Sequence, residues 1–192
     1  MIDFICRISL KLMGWKVIGT YPPEIKKCVL IAGPHTSMWD FILGRMAFYR
    51  FHIKVKFLIK KELFKFPFGG LLKRLGGIPV NRGKKNNMIE YISELFEKSE
   101  KLIIVITPEG TRKYNAHWKK GFYYIAQRAN VPIVMAFIDY AKKEGGIGKV
   151  MYPSGNFEED FKIIEDFYRG KNAKYPEKFN LSAMYQDKNN VI

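Results

Sequence analysis

The chain has 192 residues, 47% of them hydrophobic, enough for one α/β domain with a sizeable core and too few for a string of domains. Lys and Arg number 33 against 18 Asp and Glu, a formal net charge of +15, so the surface calls for an anionic partner: nucleic acid, an anionic bilayer or a phosphorylated substrate. The 15% of aromatic residues suits a membrane interface and single-stranded nucleic acid alike, and two cysteines, Cys6 and Cys28, give no disulfide framework.

In residues 1–18, Asp3, Arg7 and Lys11 recur at i, i+4 and i+8 as one polar stripe. Phe4, Ile5, Ile8, Leu12, Met13 and Trp15 cover most of the rest, which predicts an amphipathic helix. Its charges exclude a membrane span, and no uninterrupted apolar stretch with a small-residue cleavage site marks a signal peptide. Periodicity does not say whether lipid or protein meets the apolar face. Tyr21-Pro22-Pro23 is a turn. Strands are expected at 27–32, 55–59, 76–82, 101–107 and 133–138, and helices at 38–51, from the Phe66–Gly70 turn to about 75, and at 88–98, 118–129 and 157–168. Beyond Gly170 the sequence is polar. The alternation predicts an α/β fold with a mostly parallel central sheet and helices on both faces, behind the N-terminal amphipathic helix. The expected layout is a single domain over 1–192, with a core at 27–170 and a polar tail at 171–192.

Two segments at strand ends carry the chemistry. Cys28-Val29-Leu30-Ile31 leads into Ala32-Gly33-Pro34-His35-Thr36-Ser37-Met38-Trp39-Asp40, and Leu102-Ile103-Ile104-Val105-Ile106 leads into Thr107-Pro108-Glu109-Gly110-Thr111-Arg112. Ligands of α/β sheets gather at such ends. His35 is one of three histidines and a candidate general base, with Asp40 the acid that orients it. Five residues are not one helical face, so His35 must lie off the helix for the pair to meet. A second reading competes: Ser37 and Asp40 fit a capping box, in which Asp40 only satisfies backbone donors. Lys60, Arg82 and Arg112, each near a strand end or glycine turn, are the best phosphate ligands among 33 basic residues. Glu109 reads either as a contact to a substrate hydroxyl or as the partner of Arg112. The chain has no Gly-x-Ser-x-Gly elbow, no phosphate-binding P-loop and no zinc spacing. Cys28, inside a strand run, reads as an inert buried thiol.

At these residues the chain resembles the glycerolipid acyltransferases, in particular the 1-acyl-sn-glycerol-3-phosphate acyltransferases. The His-x4-Asp block is matched by His35 and Asp40. The second block looks like Gly76-Gly77-Ile78-Pro79-Val80-Asn81-Arg82, the third like Pro108 to Arg112, and the fourth like Val131-Pro132-Ile133-Val134. Lys60-Lys61-Glu62-Leu63 resembles a block often seen between the first two. Thr107 stands in place of the usual Phe, Met135 in place of a proline, and Pro34 where the family often has Asn. The resemblance implies acyl transfer from acyl-CoA or acyl carrier protein to a lysophospholipid hydroxyl, without a covalent acyl-enzyme, a metal or another cofactor. It implies His35 and Asp40 as catalytic residues, and Lys60, Arg82, Glu109, Gly110, Thr111 and Arg112 on the substrate. Expected partners are the two substrates and an anionic membrane surface, with acyl carrier protein as one form of the donor and no nucleic acid. The expected location is the cytoplasmic face of the cell membrane, held peripherally.

Overall fold

Strand β2 (Lys27–Gly33) is the axis of the fold. In the computed structural model, which describes residues 2–67, 69–81 and 85–181 (the side chains of 85–87 excepted), β2 alternates between two cores. Val29 and Ile31 enter one core and Cys28 and Leu30 the other, all fully buried. A strand covered on both faces needs no polar positions, so it reads as one apolar run. The same division holds in β5 (Leu102–Ile106) and β6 (Ile133–Asp139): Ile104, Ile133 and Met135 face one way, Ile103, Val105, Val134 and Ala136 the other.

The sheet has the order β1-β7-β6-β2-β5-β3-β4, with β1 at Lys16–Ile18, β3 at Val55–Lys60, β4 at Gly77–Val80 and β7 at Glu144–Met151. Every neighbouring pair is parallel except β6 and β7. Helices α4 (Lys85–Glu97), α5 (Gly121–Arg128) and α6 (Phe157–Tyr168) fill one core with Ile92, Phe96, Phe122, Ile125 and Ile164. Helices α1 (Ile2–Leu12) and α2 (Met38–Arg50) cover the other face through Leu10, Leu43 and Phe48, and α3 (Gly69–Arg74) is a short connector. The expected α/β architecture with helices on both faces is the observed one. Because β2, β5, β3 and β4 run parallel, Gly33, Ile106, Lys60 and Val80 all end at one edge.

Three parts differ from expectation. The N-terminal helix ends at Leu12 rather than 18; Gly14 takes a left-handed turn (φ 74°) and Lys16–Ile18 joins the sheet. Strand β7 carries Gly145, Gly146 and Gly148, residues that weaken strand propensity, so no pattern announced it. The glycines there are set by close approach: a Cβ on Gly146 would stand 1.9 Å from the Ile18 carbonyl oxygen, and one on Gly148 2.3 Å from the Phe167 ring. The core also extends past residue 170, into the expected polar tail. Ala173 is buried, Phe179 and Leu181 pack on the core, and the Trp118 indole N–H donates to the Asn180 carbonyl at 2.8 Å. Helix α1 has a protein partner on one side, where Cys6 and Leu10 are buried and Asp3 pairs with Arg50. Ile2, Phe4, Ile5, Ile8 and Leu12 remain exposed.

Two glycine substitutions should separate these constraints in thermal or urea unfolding. Gly146→Ala drives a methyl into the β1 backbone and should destabilise by about 1–3 kcal/mol. Gly44→Ala, inside α2 with nothing within 4 Å of the new atom, should stabilise by about 0.5–1 kcal/mol. Equal and small effects at both positions would contradict the tight β1–β7 contact.

Candidate active site

Strand β2 runs out at Gly33, and a cis Gly33–Pro34 peptide leads to His35. Ser37 is the N-cap of α2, in extended conformation (φ −141°, ψ 159°), and its hydroxyl accepts from the Trp39 N–H at 3.2 Å. His35 therefore precedes the helix, while Asp40 stands in its first turn. That placement lets two side chains five residues apart face each other.

Asp40 caps the helix and faces the histidine at once, so the two readings of this residue are not alternatives. Its Oδ2 accepts from the backbone N–H of Thr36 and of Ser37, both at 2.7 Å, which completes the capping box. The same oxygen lies 3.4 Å from His35 Nδ1. Its Oδ1 accepts from the Tyr140 hydroxyl at 2.6 Å. Burial alone would push the Asp40 carboxyl up; the bonds from His35, Tyr140, Ser37 and Thr36 outweigh it and hold the group below the usual carboxylate range. Asp40 is thus an anion at neutral pH.

Strand β5 flanks β2 on the other side, with Ile31 opposite Ile106, and this brings Thr107–Gly110 beside the His35 turn. The Gly110 N–H donates to the Thr107 carbonyl at 3.0 Å, and Gly110 has φ 68°, a tight left-handed turn. Asn115 Nδ2 donates to the Glu109 carbonyl at 2.9 Å. Glu109 is 4% exposed, and its Oε1 accepts from the backbone N–H of His35 at 2.8 Å. Gly33 makes room for it: a Cβ there would stand 3.3 Å from Glu109 Oε1 and 3.3 Å from the Tyr168 ring. Glu109 Oε2 is buried and finds no partner among the described residues. Burial pushes the Glu109 carboxyl up to about 7, helped by the Asp40 charge and opposed by its backbone bonds and by His35.

The expected site residues separate accordingly. His35, Asp40 and Glu109 come together. Glu109, expected on the substrate or on Arg112, instead lies beneath the turn against the His35 backbone, because β5 delivers it into the protein rather than out of it. Arg112 is exposed, and Thr111 is half-buried with its hydroxyl accepting from the Lys113 N–H at 3.2 Å. Lys60 closes β3 at the same edge of the sheet and is exposed. Arg82 lies outside the described residues. Cys28 is an inert thiol within β2, pushed by burial up to about 11. Sequence reasoning missed Tyr140 altogether, as well as the segment after α6, whose Tyr175 N–H donates to Thr36 Oγ1 at 3.3 Å. Separations of 100 and 139 residues leave no local signal for either contact.

The structure thus places a histidine and a buried carboxylate face to face at the end of a parallel strand, braced from the neighbouring strand. The acyltransferase family model matches residues 16–139, more than half of the chain, and the chain belongs to that family. It is 33% identical over 117 residues to human 1-acyl-sn-glycerol-3-phosphate acyltransferase beta, over 58% of this chain and 41% of that protein. The matched region thus spans less than half of that relative's length. Among solved structures the fold is similar to the crystal structure of the 1-acyl-sn-glycerophosphate (LPA) acyltransferase PlsC from Thermotoga maritima. The TM-score is 0.59 at 20% identity, covering 86% of this chain and 74% of that one, a likeness of fold. Among the described residues no helix is long and apolar enough to cross a membrane.

The raised Glu109 gives a pH-dependent stability with a definite sign. An acid whose folded pKa exceeds its unfolded one stabilises the fold while protonated; that contribution is complete below about 4.5 and is lost as pH rises through about 7. Glu109→Gln keeps an acceptor for the His35 N–H and cannot ionise. Measured from pH 5 to pH 8, the melting temperature of the variant should gain on that of the parent by the equivalent of on the order of 3 kcal/mol. A constant difference across that range would show that Glu109 does not titrate there.

Proposed function

We propose that the chain transfers a fatty acyl group from acyl-CoA or acyl carrier protein to the free hydroxyl of a lysophospholipid. The first candidate acceptor is 1-acyl-sn-glycerol-3-phosphate, and the product is then phosphatidic acid, a step in phospholipid synthesis. The observation that carries this reading is Asp40 facing His35 Nδ1 at the end of β2, in a chain of the acyltransferase family. With Nδ1 turned to the carboxylate, Nε2 takes the proton of the acceptor hydroxyl. The oxygen attacks the thioester carbonyl, a C–O bond forms and the tetrahedral intermediate collapses. The C–S bond then breaks, and the leaving thiolate takes the proton from the imidazolium. Asp40 keeps the productive tautomer and stabilises the imidazolium between the two transfers. Backbone N–H groups near the turn carry the oxyanion. Arg82, aided by Lys60 and Arg112, holds the acceptor phosphate; Gly110 and Thr111 shape the loop beside it, and Glu109 fixes the His35 backbone from below.

Attachment to an anionic membrane surface, on the cytoplasmic face, completes the proposal. Its support is the exposed apolar side of α1 and the exposed run around Phe66, which is 98% exposed among Lys60, Lys61 and Lys65. Each basic residue near an anionic surface contributes about 1 kcal/mol, and salt weakens it. Vesicle co-sedimentation should therefore fall with rising salt. The pair Leu12→Ser and Phe66→Ser should weaken it by about tenfold or more, since each side chain loses roughly 1.5–3 kcal/mol of transfer energy. Equal binding to neutral and anionic vesicles would contradict the electrostatic part.

The deciding experiment is lipid mass spectrometry on purified protein with a panel of lysolipids, amino-acid lipids and acyl thioesters. His35→Ala should lose about 10²–10⁴ in turnover while remaining folded. Asp40→Asn should lose well over tenfold and, because the same carboxylate caps α2, also about 0.5–2 kcal/mol of stability. Near-parental turnover by folded His35→Ala would sink the mechanism, whereas a parent that acylates nothing on the panel would favour a non-catalytic membrane- or nucleic-acid-binding protein. Acylation of another acceptor alone would move the substrate and leave the mechanism standing.

A further inference from the structure

We infer that Tyr140 is a positioning residue for the proposed transfer, fixing the plane of the Asp40 carboxylate so that Oδ2 stays aimed at His35. The inference rests on the acyl-transfer reading of the site. Oδ2 already gathers the Thr36 and Ser37 N–H groups at 2.7 Å, with His35 Nδ1 at 3.4 Å. Those bonds hold Oδ2 against rotation about the Cβ–Cγ bond, and a donor on the second oxygen resists the same rotation. The Tyr140 hydroxyl is that donor, at 2.6 Å, in a short charge-assisted bond. Without it a buried anionic oxygen would lack its donor.

Tyr140 is itself held from two sides. Its backbone N–H donates to the Asn172 carbonyl at 2.8 Å, in the segment that returns to the core after α6. Its ring meets Trp15 edge-on, with centroids 5.0 Å apart and planes at 88°. Burial, with the neighbouring Asp40 charge, keeps the phenol protonated, so it is the donor of the pair. The strand order supplies the geometry: β6 flanks β2, with Phe137 opposite Gly33, and the chain leaving β6 arrives at Asp40 from the side away from β5.

Tyr140→Phe removes one hydroxyl and keeps the ring against Trp15. We expect kcat to fall roughly tenfold, the order for a lost hydrogen bond to a charged group, with both substrate KM values nearly unchanged; the melting temperature should fall as well, because a buried anionic oxygen loses its donor. In an Asp40→Asn background the same change should cost little more, because Tyr140 acts through that carboxylate. Ring ¹⁵N shifts of His35, taken where the imidazole is neutral, should report one Nδ1–H tautomer in the parent and a mixture in Tyr140→Phe. Equal losses of kcat in both backgrounds, or identical ¹⁵N shifts in parent and variant, would overturn the assignment. The two readings fail separately. A parent that acylates nothing on the lipid panel refutes the acyl-transfer reading, whereas the ¹⁵N comparison still decides whether Tyr140 orients the pair.

Discussion

Asp40 carries its charge at 8% exposure, and an ion so placed is costly unless donors surround it. Those donors come from two distant parts of the chain: His35, Thr36 and Ser37 from the turn that leaves β2, and Tyr140 from beyond β6. Keeping the anion satisfied therefore requires the turn, the helix start and the neighbouring strand to be in register together. The sheet order makes this possible, since β2 lies between β6 and β5. From the first turn of α2 Asp40 meets the imidazole, and from the β5 side Glu109 accepts the backbone N–H of the same residue. His35 is clamped at two points by two carboxyl groups in unlike surroundings. Four donors keep one ionised, and burial, with the Asp40 charge beside it, raises the other. Environment gives the same functional group two different tasks.

What could be read from the sequence follows from where each signal is stored. The runs in β2, β5 and β6 are buried on both faces, so their apolar content alone marks them. Ser37 and Asp40 mark the start of α2 through the capping box, and their spacing from His35 already placed the histidine outside the helix. Strand β7 was illegible because its composition answers to neighbours, Ile18 and Phe167, rather than to strand propensity. The segment after Gly170 reads only as polar because its anchors are few and scattered: Ala173, Phe179, Leu181 and an Asn180 carbonyl. The place of Glu109 near the His35 turn was legible and its direction was not, since a sequence does not say which way a turn after a strand points its side chain.

The charge balance also changes meaning once the fold is known. Among the described residues Asp40, Glu109, Asp139, Asp160 and Glu165 are buried, while no lysine or arginine is. Acids withdrawn into the interior leave the solvent-facing shell more basic than the formal +15 implies. The exposed apolar side chains are not scattered over that shell at random. They concentrate on α1, on the first turns of α2 at Met38, Trp39, Phe41 and Ile42, and on the stretch around Phe66. That mixture of cations with exposed aliphatic and aromatic groups is the feature on which the proposed attachment to an anionic bilayer rests.

The outer helix and the acid are physically continuous. Trp15 follows α1 by a single turn, and its backbone N–H donates to the Leu10 carbonyl at 2.8 Å. Its ring packs on Tyr140, and Tyr140 donates to Asp40. The exposed apolar side of α1 and the anion beside His35 are therefore joined through one aromatic contact and one hydrogen bond. Trp15 stands between the helix and the ring whose hydroxyl donates to that carboxylate. The N-terminal segment thus belongs to the frame of the site as well as to the outer surface, and cutting it away would remove strand β1 and the packing of Tyr140 together.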